Sequence, residues 1–483
     1  MMFVCLAAIW LTGFGLVRRM FPQPLGWSLH NVSVFSLGIG AGAGVASCMY
    51  FLSTLLAGPN VTVLAGVTGG AAIVALAVGL SARRKGTRLA WSEGQEAPWY
   101  LTGVFVLAIA LAVTAFLATV SSNPHGDEGA WSIWNLRARF LFRADEFWRD
   151  AFSSDLSWSH PDYPLLLPGL VALCWKLAGQ ESTDAPIAIA FLFLLGTAGV
   201  LTSVIGVLRG KTQALVGGTL LLGAAGFISL SAAQYGDVPL SFYVLATLGL
   251  LCLQDRYPED LRFSALAGLM AGFAAWTRNE GSIFVIAVIV ARVAVALRFR
   301  DRTGPALAPQ MIHLAAGLLA PLAVVIFFKL RIGGASDVLS EKPALILQHL
   351  ADPGRWILMI QGLVVALFGM GRFLVSIVVV LGLYSYLVRF RVEERDRASL
   401  AAIGIALALT IAIELVADVA LVDNLRLEIA TGLERSLLHL WPAGVLLFFF
   451  AAAPLQLTAA EKSPKNKVSK KALKSHRRAA ETR

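Results

Sequence analysis

Charge is scarce in this chain. Only 14% of its 483 residues are Asp, Glu, Lys or Arg, against about 25% in soluble domains, which excludes an ordinary water-soluble globule. Cysteine is scarcer still, with four in all. Cys5, Cys48, Cys174 and Cys252 sit in or near apolar stretches with no CxxC spacing. They read as small core residues, and neither a disulfide framework nor a zinc site is expected. No Walker loop, no HExxH and no internal repeat occurs, which removes P-loop, zincin and solenoid readings. A basic n-region is missing behind Met1-Met2-Phe3, so a cleaved signal peptide is not expected. The run Gly38 to Gly44 resembles a nucleotide fingerprint by letters alone. It lies within an apolar segment, where small residues let helices approach closely.

What is there is apolar. Hydrophobic residues make up 57% of the chain and mean hydropathy is +0.72. Stretches of roughly 17–25 apolar residues match a hydrocarbon core, and lipid leaves the backbone only internal partners, so the spans are helical. The expected fold is an all-α polytopic membrane protein, a bundle of about thirteen spans. These lie near 3–17, 31–57, 61–82, 99–120, 185–208, 212–233, 239–254, 263–277, 281–297, 309–330, 372–388, 399–419 and 437–457. Segment 343–371 adds one or two apolar helices that are extracytoplasmic or re-entrant. Seven basic clusters fall on one face of this threading: Arg18-Arg19, Arg83 to Arg88, Arg209 to Lys211, Arg256 to Arg262, Arg298 to Arg302, Arg389 to Arg397 and the tail from Lys462. The positive-inside rule makes that face cytoplasmic, together with the C-terminus. The net charge of +10 therefore points to anionic lipid, with no nucleic acid as partner.

The opposite face receives Ser121 to Pro164, Gln234 to Val238, Thr277 to Gly281 with Arg331 to Asp352, and Leu421 to Ser436. In the first of these, Asn123 to Gly126 is a turn. Ala130 to Phe142 follows with helical periodicity, placing Trp131, Trp134, Ala138 and Leu141 on one stripe and Asn135, Arg137 and Arg139 off it. This is an interfacial helix. Asp127 and Glu128 stand at its start, where the helix dipole favours anions, and each reads equally as a cap or as a reactive group. His160-Pro161-Asp162-Tyr163-Pro164 is either a rigid turn or a second wall of the same cavity. Asp237 lies between two apolar helices, as do Arg278, Asn279 and Glu280. Ionisable groups near membrane depth cost roughly 2.5–3.5 kcal/mol and usually line a cavity. Arg435 and His439 are four apart on one helical face. They read as a snorkelling arginine and a satisfied buried histidine, or as ligand contacts.

In order, Gly126-Asp127-Glu128, His160 to Pro164, Tyr235-Gly236-Asp237-Val238-Pro239 and Thr277-Arg278-Asn279-Glu280-Gly281 resemble the GT-C superfamily of polyprenyl-phosphate-sugar-dependent glycosyltransferases. The bacterial branch with aminoarabinose and protein mannosyl transferases is the most similar. The likeness covers 99–330, and Arg435 to Pro442 is similar to the last-span element. It implies an N-terminal accessory unit (1–98), a catalytic module (99–330), C-terminal spans with an outer loop (331–458) and a basic cytoplasmic tail (459–483). It also implies a hexosyl- or pentosyltransferase of the bacterial inner membrane, active on the extracytoplasmic side with inversion. The donor is a sugar on a polyprenyl phosphate; the acceptor is a glycan, lipid or protein hydroxyl. In such enzymes the acid of the first loop is the base, here Asp127 or Glu128, with Asp127 favoured by its place in the motif. Relatives have an aromatic close behind one acid, whereas Gly129-Ala130 intervenes here, so the two stay open.

Arg278, Arg435 and His439 would hold the donor phosphate. His160, Asp162, Tyr163, Asp237, Asn279 and Glu280 would orient sugar or acceptor. No cofactor is required, and a divalent cation is optional, with Asp162 as its candidate ligand. Two rival classes remain. A transporter or flippase would show broken helices and midplane charges, and Glu414 and Asp418 are what it would claim. An O-antigen ligase or polymerase would carry a large outer loop in the second half.

Overall fold

The computed structural model describes residues 1–21, 29–82, 88–91, 97–334, 343–373 and 375–453, with the backbone alone for 300–306. The basic tail and the arginines at 83–84 lie outside them. The described residues are mostly helical and contain no strand, only a single isolated bridge between Phe390 and Ala452. The helices are α1 (Met2–Met20), α2 (Leu29–Ala57), α3 (Val61–Leu80), α4 (Trp99–Ser122), α5 (Asn135–Arg143), α6 (Leu166–Ala178), α7 (Asp184–Arg209), α8 (Lys211–Leu222), α9 (Ala225–Ala232) and α10 (Asp237–Arg256). They continue as α11 (Arg262–Thr277), α12 (Asn279–Arg298), α13 (Arg300–Arg331), α14 (Pro343–Ala351), α15 (Pro353–Gly369), α16 (Ile377–Val388), α17 (Arg397–Leu421), α18 (Leu425–Thr431) and α19 (Leu433–Ala451). This is a multi-pass membrane protein.

Among the described residues eleven helices are long and apolar enough to cross a bilayer, or twelve if α8 and α9, bent by 60°, make one span. The expected thirteen are not reached on length, for two physical reasons. The 16-residue α11, buried along most of its length, falls short of a span by length while packing beside the 20-residue α10 and α12. Arg278 meets Asp237 at one end of those helices, and Arg292 meets Asp255 at the other. The stretch expected as one span at 372–388 contains only the 12-residue α16. The long apolar helix there is instead Pro353–Arg372, set by Pro353 in its first turn and by Asp352, whose side chain accepts from Gly354 N.

The run Gly38 to Gly44 packs as its composition demands. A methyl group on Gly42 would lie 2.1 Å from the Ile9 carbonyl oxygen, so α1 and α2 touch backbone to backbone. α2 also reaches the core: Tyr243 donates to Gly40 O (2.9 Å) and Trp276 Nε1 to Ser47 Oγ (3.0 Å). All four cysteines are free and buried. Cys5 and Cys174, from α1 and α6, touch at 3.5 Å, a pairing that spacing alone does not reveal.

The described basic clusters gather at one end of the bundle. Phe21 stacks on Phe263 with the Arg262 guanidinium over it, and Asp255 accepts from Ser399 at 2.7 Å. Arg209 reaches Phe450 O and Asp396, and Arg391 N donates to Ala451 O at 3.1 Å. The first loop, the α9–α10 and α11–α12 junctions and the start of α19 assemble at the other end.

Candidate functional site

The first loop departs from a uniform amphipathic helix. Ala130–Trp134 is a π turn, and α5 begins only at Asn135. The wider turn shifts the register, a device common at functional sites. Trp134, Ala138 and Leu141 stay buried, but so do Asn135 and Arg137 from the expected polar side, while Trp131 is 50% exposed. Hydrogen bonds staple this segment to the α9–α10 junction. Gln234, in left-handed conformation (φ 62), accepts from Asn135 Nδ2 and donates to Pro124 O, each at 3.0 Å. Gly129 N donates to the Tyr235 hydroxyl at 3.2 Å, and Asp127 N to Ala233 O at 3.4 Å. The Asp127 and Glu128 carboxylates remain exposed.

Arg137 fixes the second motif. Its buried guanidinium donates to the carbonyls of Tyr163 (2.8 Å), Ser159 (2.9 Å) and His160 (2.7 Å). Burial pulls its pKa down to about 10, against the pull of the nearby Asp162 charge. His160 is thereby held left-handed (φ 50) with its ring stacked on Tyr163 at 4.8 Å. Trp134 packs on Tyr163 at 5.7 Å. Burial, with the Glu280 charge beside it, pushes the Tyr163 hydroxyl well up, so it stays a neutral donor. Asp162 is buried, and its Oδ2 accepts from Asn279 Nδ2 (2.7 Å) and Lys329 Nζ (3.3 Å). Lys329 also donates to Asp162 O (2.5 Å) and Asn279 Oδ1 (2.6 Å).

Asp237 is the hub of the third and fourth motifs. Arg278 Nη1 lies 2.8 Å from Oδ1, though off the hydrogen-bond direction, so this is a charge contact and Nη1 has no aligned acceptor among the described residues. Arg435 Nη2 donates to Oδ2 at 3.1 Å. Arg278 also grips Glu280 through Nε (3.1 Å) and Nη2, above the Tyr163 ring at 5.7 Å. Arg435 stacks on Tyr235 at 4.5 Å. His439 is buried deeper, with Nε2 3.3 Å from Glu414 Oε1.

A cavity of about 880 Å³ opens in front of this network, lined by Asp127, Glu128, Trp131, Trp158, Tyr235, Arg372, Glu434 and Arg435 among others. Of the residues expected from sequence, only Asp127, Glu128 and Arg435 reach it. Arg278, Asp237 and Glu280 form the charged layer behind, and Asp162 with Asn279 a second cluster joined to it through Tyr163. His160 shapes the turn, and His439 faces the bundle interior. For a divalent cation, Asp162 is a poor ligand, because the Lys329 ammonium already neutralises it. No group of three or more His, Cys, Asp or Glu side chains fit to hold a metal occurs among the described residues. Sequence reasoning missed Lys329, which reads as the basic end of an apolar run, and Arg137, which reads as a solvent-facing residue.

Comparison of the chain with protein-family models, curated proteins and solved structures found no match. Function is therefore read from the chemistry of the site itself.

Proposed function

We propose that the protein is a membrane glycosyltransferase that moves a sugar from a polyprenyl-phosphate donor to an acceptor hydroxyl on the extracytoplasmic side of a bacterial inner membrane. The observation that carries this reading is the 880 Å³ cavity, with two exposed carboxylates from the first loop and Arg435 from the last helix. It lies at the end of the bundle away from the described arginine clusters, which is the extracytoplasmic end by the positive-inside rule. The resemblance of the four motifs to the GT-C superfamily supports the same reaction.

The chemistry asks little beyond positioning, a base and cations. Asp127 or Glu128 takes the proton from the acceptor hydroxyl as its oxygen attacks the anomeric carbon. The bond from that carbon to the phosphate oxygen breaks with inversion, and the polyprenyl phosphate departs. Arg435 stabilises the charge growing on it. Arg278 holds Asp237 and Glu280 in place and keeps Arg435 oriented through Asp237. Trp131 and Trp158, 50% and 60% exposed, offer flat apolar faces to a sugar ring. Purified protein given a polyprenyl-phosphate sugar and candidate acceptors should release polyprenyl phosphate. Full transfer by the double variant Asp127→Asn/Glu128→Gln would remove the assigned base.

One observation favours a second reading, a lipid or polysaccharide transporter. The α8–α9 bend and the α15–α16 interruption face each other within the bundle, as broken helices do around translocation paths. Movement of substrate across vesicles without bond cleavage would support it. For a ligase or polymerase the second-half outer segment is modest, and its described part is taken up by α14 and α15.

A further inference from the structure

Two helix interruptions meet inside the bundle. α8 runs 12 residues from the basic end to the bend at Gly223-Ala224, and α16 runs 12 residues from the second interruption back to that end. At about 1.5 Å per residue both breaks lie roughly 18 Å from the basic end, inside a layer about 30 Å thick. They are in contact: a methyl group on Gly226 would lie 3.1 Å from Gly371 Cα, and one on Gly371 would lie 3.5 Å from Ala224 Cβ. Non-helical backbone persists at such depth only against protein or beside a water-filled cavity. Here it borders the 880 Å³ cavity, to which Gly226 and Arg372 both contribute.

Arg372 is unusual on three counts. Its φ of 52° is left-handed, a conformation that a long side chain rarely adopts and that marks functional strain. Its side chain is exposed to the cavity. No carboxylate lies within ion-pair distance of it among the described residues, in contrast to Arg278 and Arg435. An uncompensated cation at membrane depth is costly and marks a ligand path. Across the same cavity Arg435 commits Nη2 to Asp237, while its side chain stays 37% exposed and lines the cavity. Two guanidinium groups lining one cavity suit one phosphate group, each donating charge-assisted hydrogen bonds to its oxygens.

We propose that Arg372, displayed by the paired helix breaks, is the main anchor of the substrate's phosphate group, with Arg435 as its second contact. This rests on the proposed function and assigns the phosphate to a residue that the family-like motifs do not contain. Arg372 draws the lipid phosphate to the depth of the breaks, leaving the sugar at the level of Asp127 and Glu128.

The test is binding of a fluorescent polyprenyl monophosphate to the full-length protein in nanodiscs, with the neutral polyprenol and inorganic phosphate as comparison ligands. Arg372→Asn removes the charge with a residue that tolerates left-handed backbone, and Arg372→Lys keeps the charge without the fork. Arg397→Gln, at the opposite end, is the control. Loss of one charged contact should weaken polyprenyl phosphate binding at least about tenfold in Arg372→Asn and less in Arg372→Lys. Polyprenol binding and the Arg397→Gln variant should not change. Inorganic phosphate that binds with the affinity of the lipid, and depends on Arg372, supports the anion site while assigning it to a soluble phosphate. Unchanged phosphate binding in Arg372→Asn overturns the inference; if Arg435→Gln still loses it, the proposed transferase survives. Equal loss of polyprenol and polyprenyl phosphate also overturns it, by making Arg372 a packing residue. A wild-type protein that does not prefer the phosphate over polyprenol defeats both.

Discussion

The two ends of the bundle each bury an aspartate–arginine pair, and they use it differently. At the basic end Arg292 gives Nη1 and Nη2 to Asp255 (2.8 and 2.9 Å) and Nη2 also to Gln310 (2.7 Å), while Ser399 donates to the same aspartate. The neighbouring cavity is about 320 Å³. At the other end Asp237 is shared between two arginines, one of which stands 37% exposed at a cavity of about 880 Å³. A ring of mutual partners locks helices together. A hub with one arm turned outward leaves a charge facing the cavity. Buried ion pairs are weak evidence for stability, and under the proposed function the half-exposed arm is what sets this end apart from the other.

Asp127→Asn with Glu128→Gln should cut sugar transfer by about 10²–10⁴-fold, the usual contribution of a general base, with no fall in melting temperature. A matching loss of stability would return both acids to capping duty. Arg292→Met, which strands Asp255, should cost about 3–5 kcal/mol in detergent unfolding, with transfer per folded molecule unchanged. A fall in that specific activity would erase the distinction between the two ends. Arg137→Met leaves three carbonyls short of a donor and should cost about 1–3 kcal/mol, while proteolysis in 153–164 rises. The smallest effect belongs to Glu181, whose carboxyl the Arg143 guanidinium holds below its ordinary value near 4.5. With the folded pKa depressed, that contribution is complete above 4.5 and fades as pH falls through the lower folded value. Acid melting curves should therefore show a shallow decline that Glu181→Gln removes.

Apolar runs made most of the helices legible, and segregated arginines made the two ends legible. The four motifs also came together, because each stands at a helix end on one side of the threading. What stayed hidden has a physical cause in each case. Hydropathy is blind to the bend at Gly223-Ala224, since both residues are apolar and the break is stabilised by Gly371, almost 150 positions away. The same blindness began the expected span at 372, whereas α16 starts only at Ile377. Arg137 and Lys329 look like surface charges because their partners are main-chain carbonyls and a side chain 167 residues distant. The π turn at Ala130–Trp134 moves Trp131 out to the cavity and brings Asn135 and Arg137 in, against the periodicity of an ordinary helix.

The clamp of Lys329 on Asp162 also has a consequence in time. The loop is made long before the helix that completes it, and the 167 intervening residues take roughly 8–33 s at about 5–20 residues per second of synthesis. For that interval the newborn loop has Arg137 to hold its turn, while Asp162 lacks its direct partner Lys329. Until α12 and α13 are made, the first loop lacks the Asn279 and Lys329 side chains that complete it.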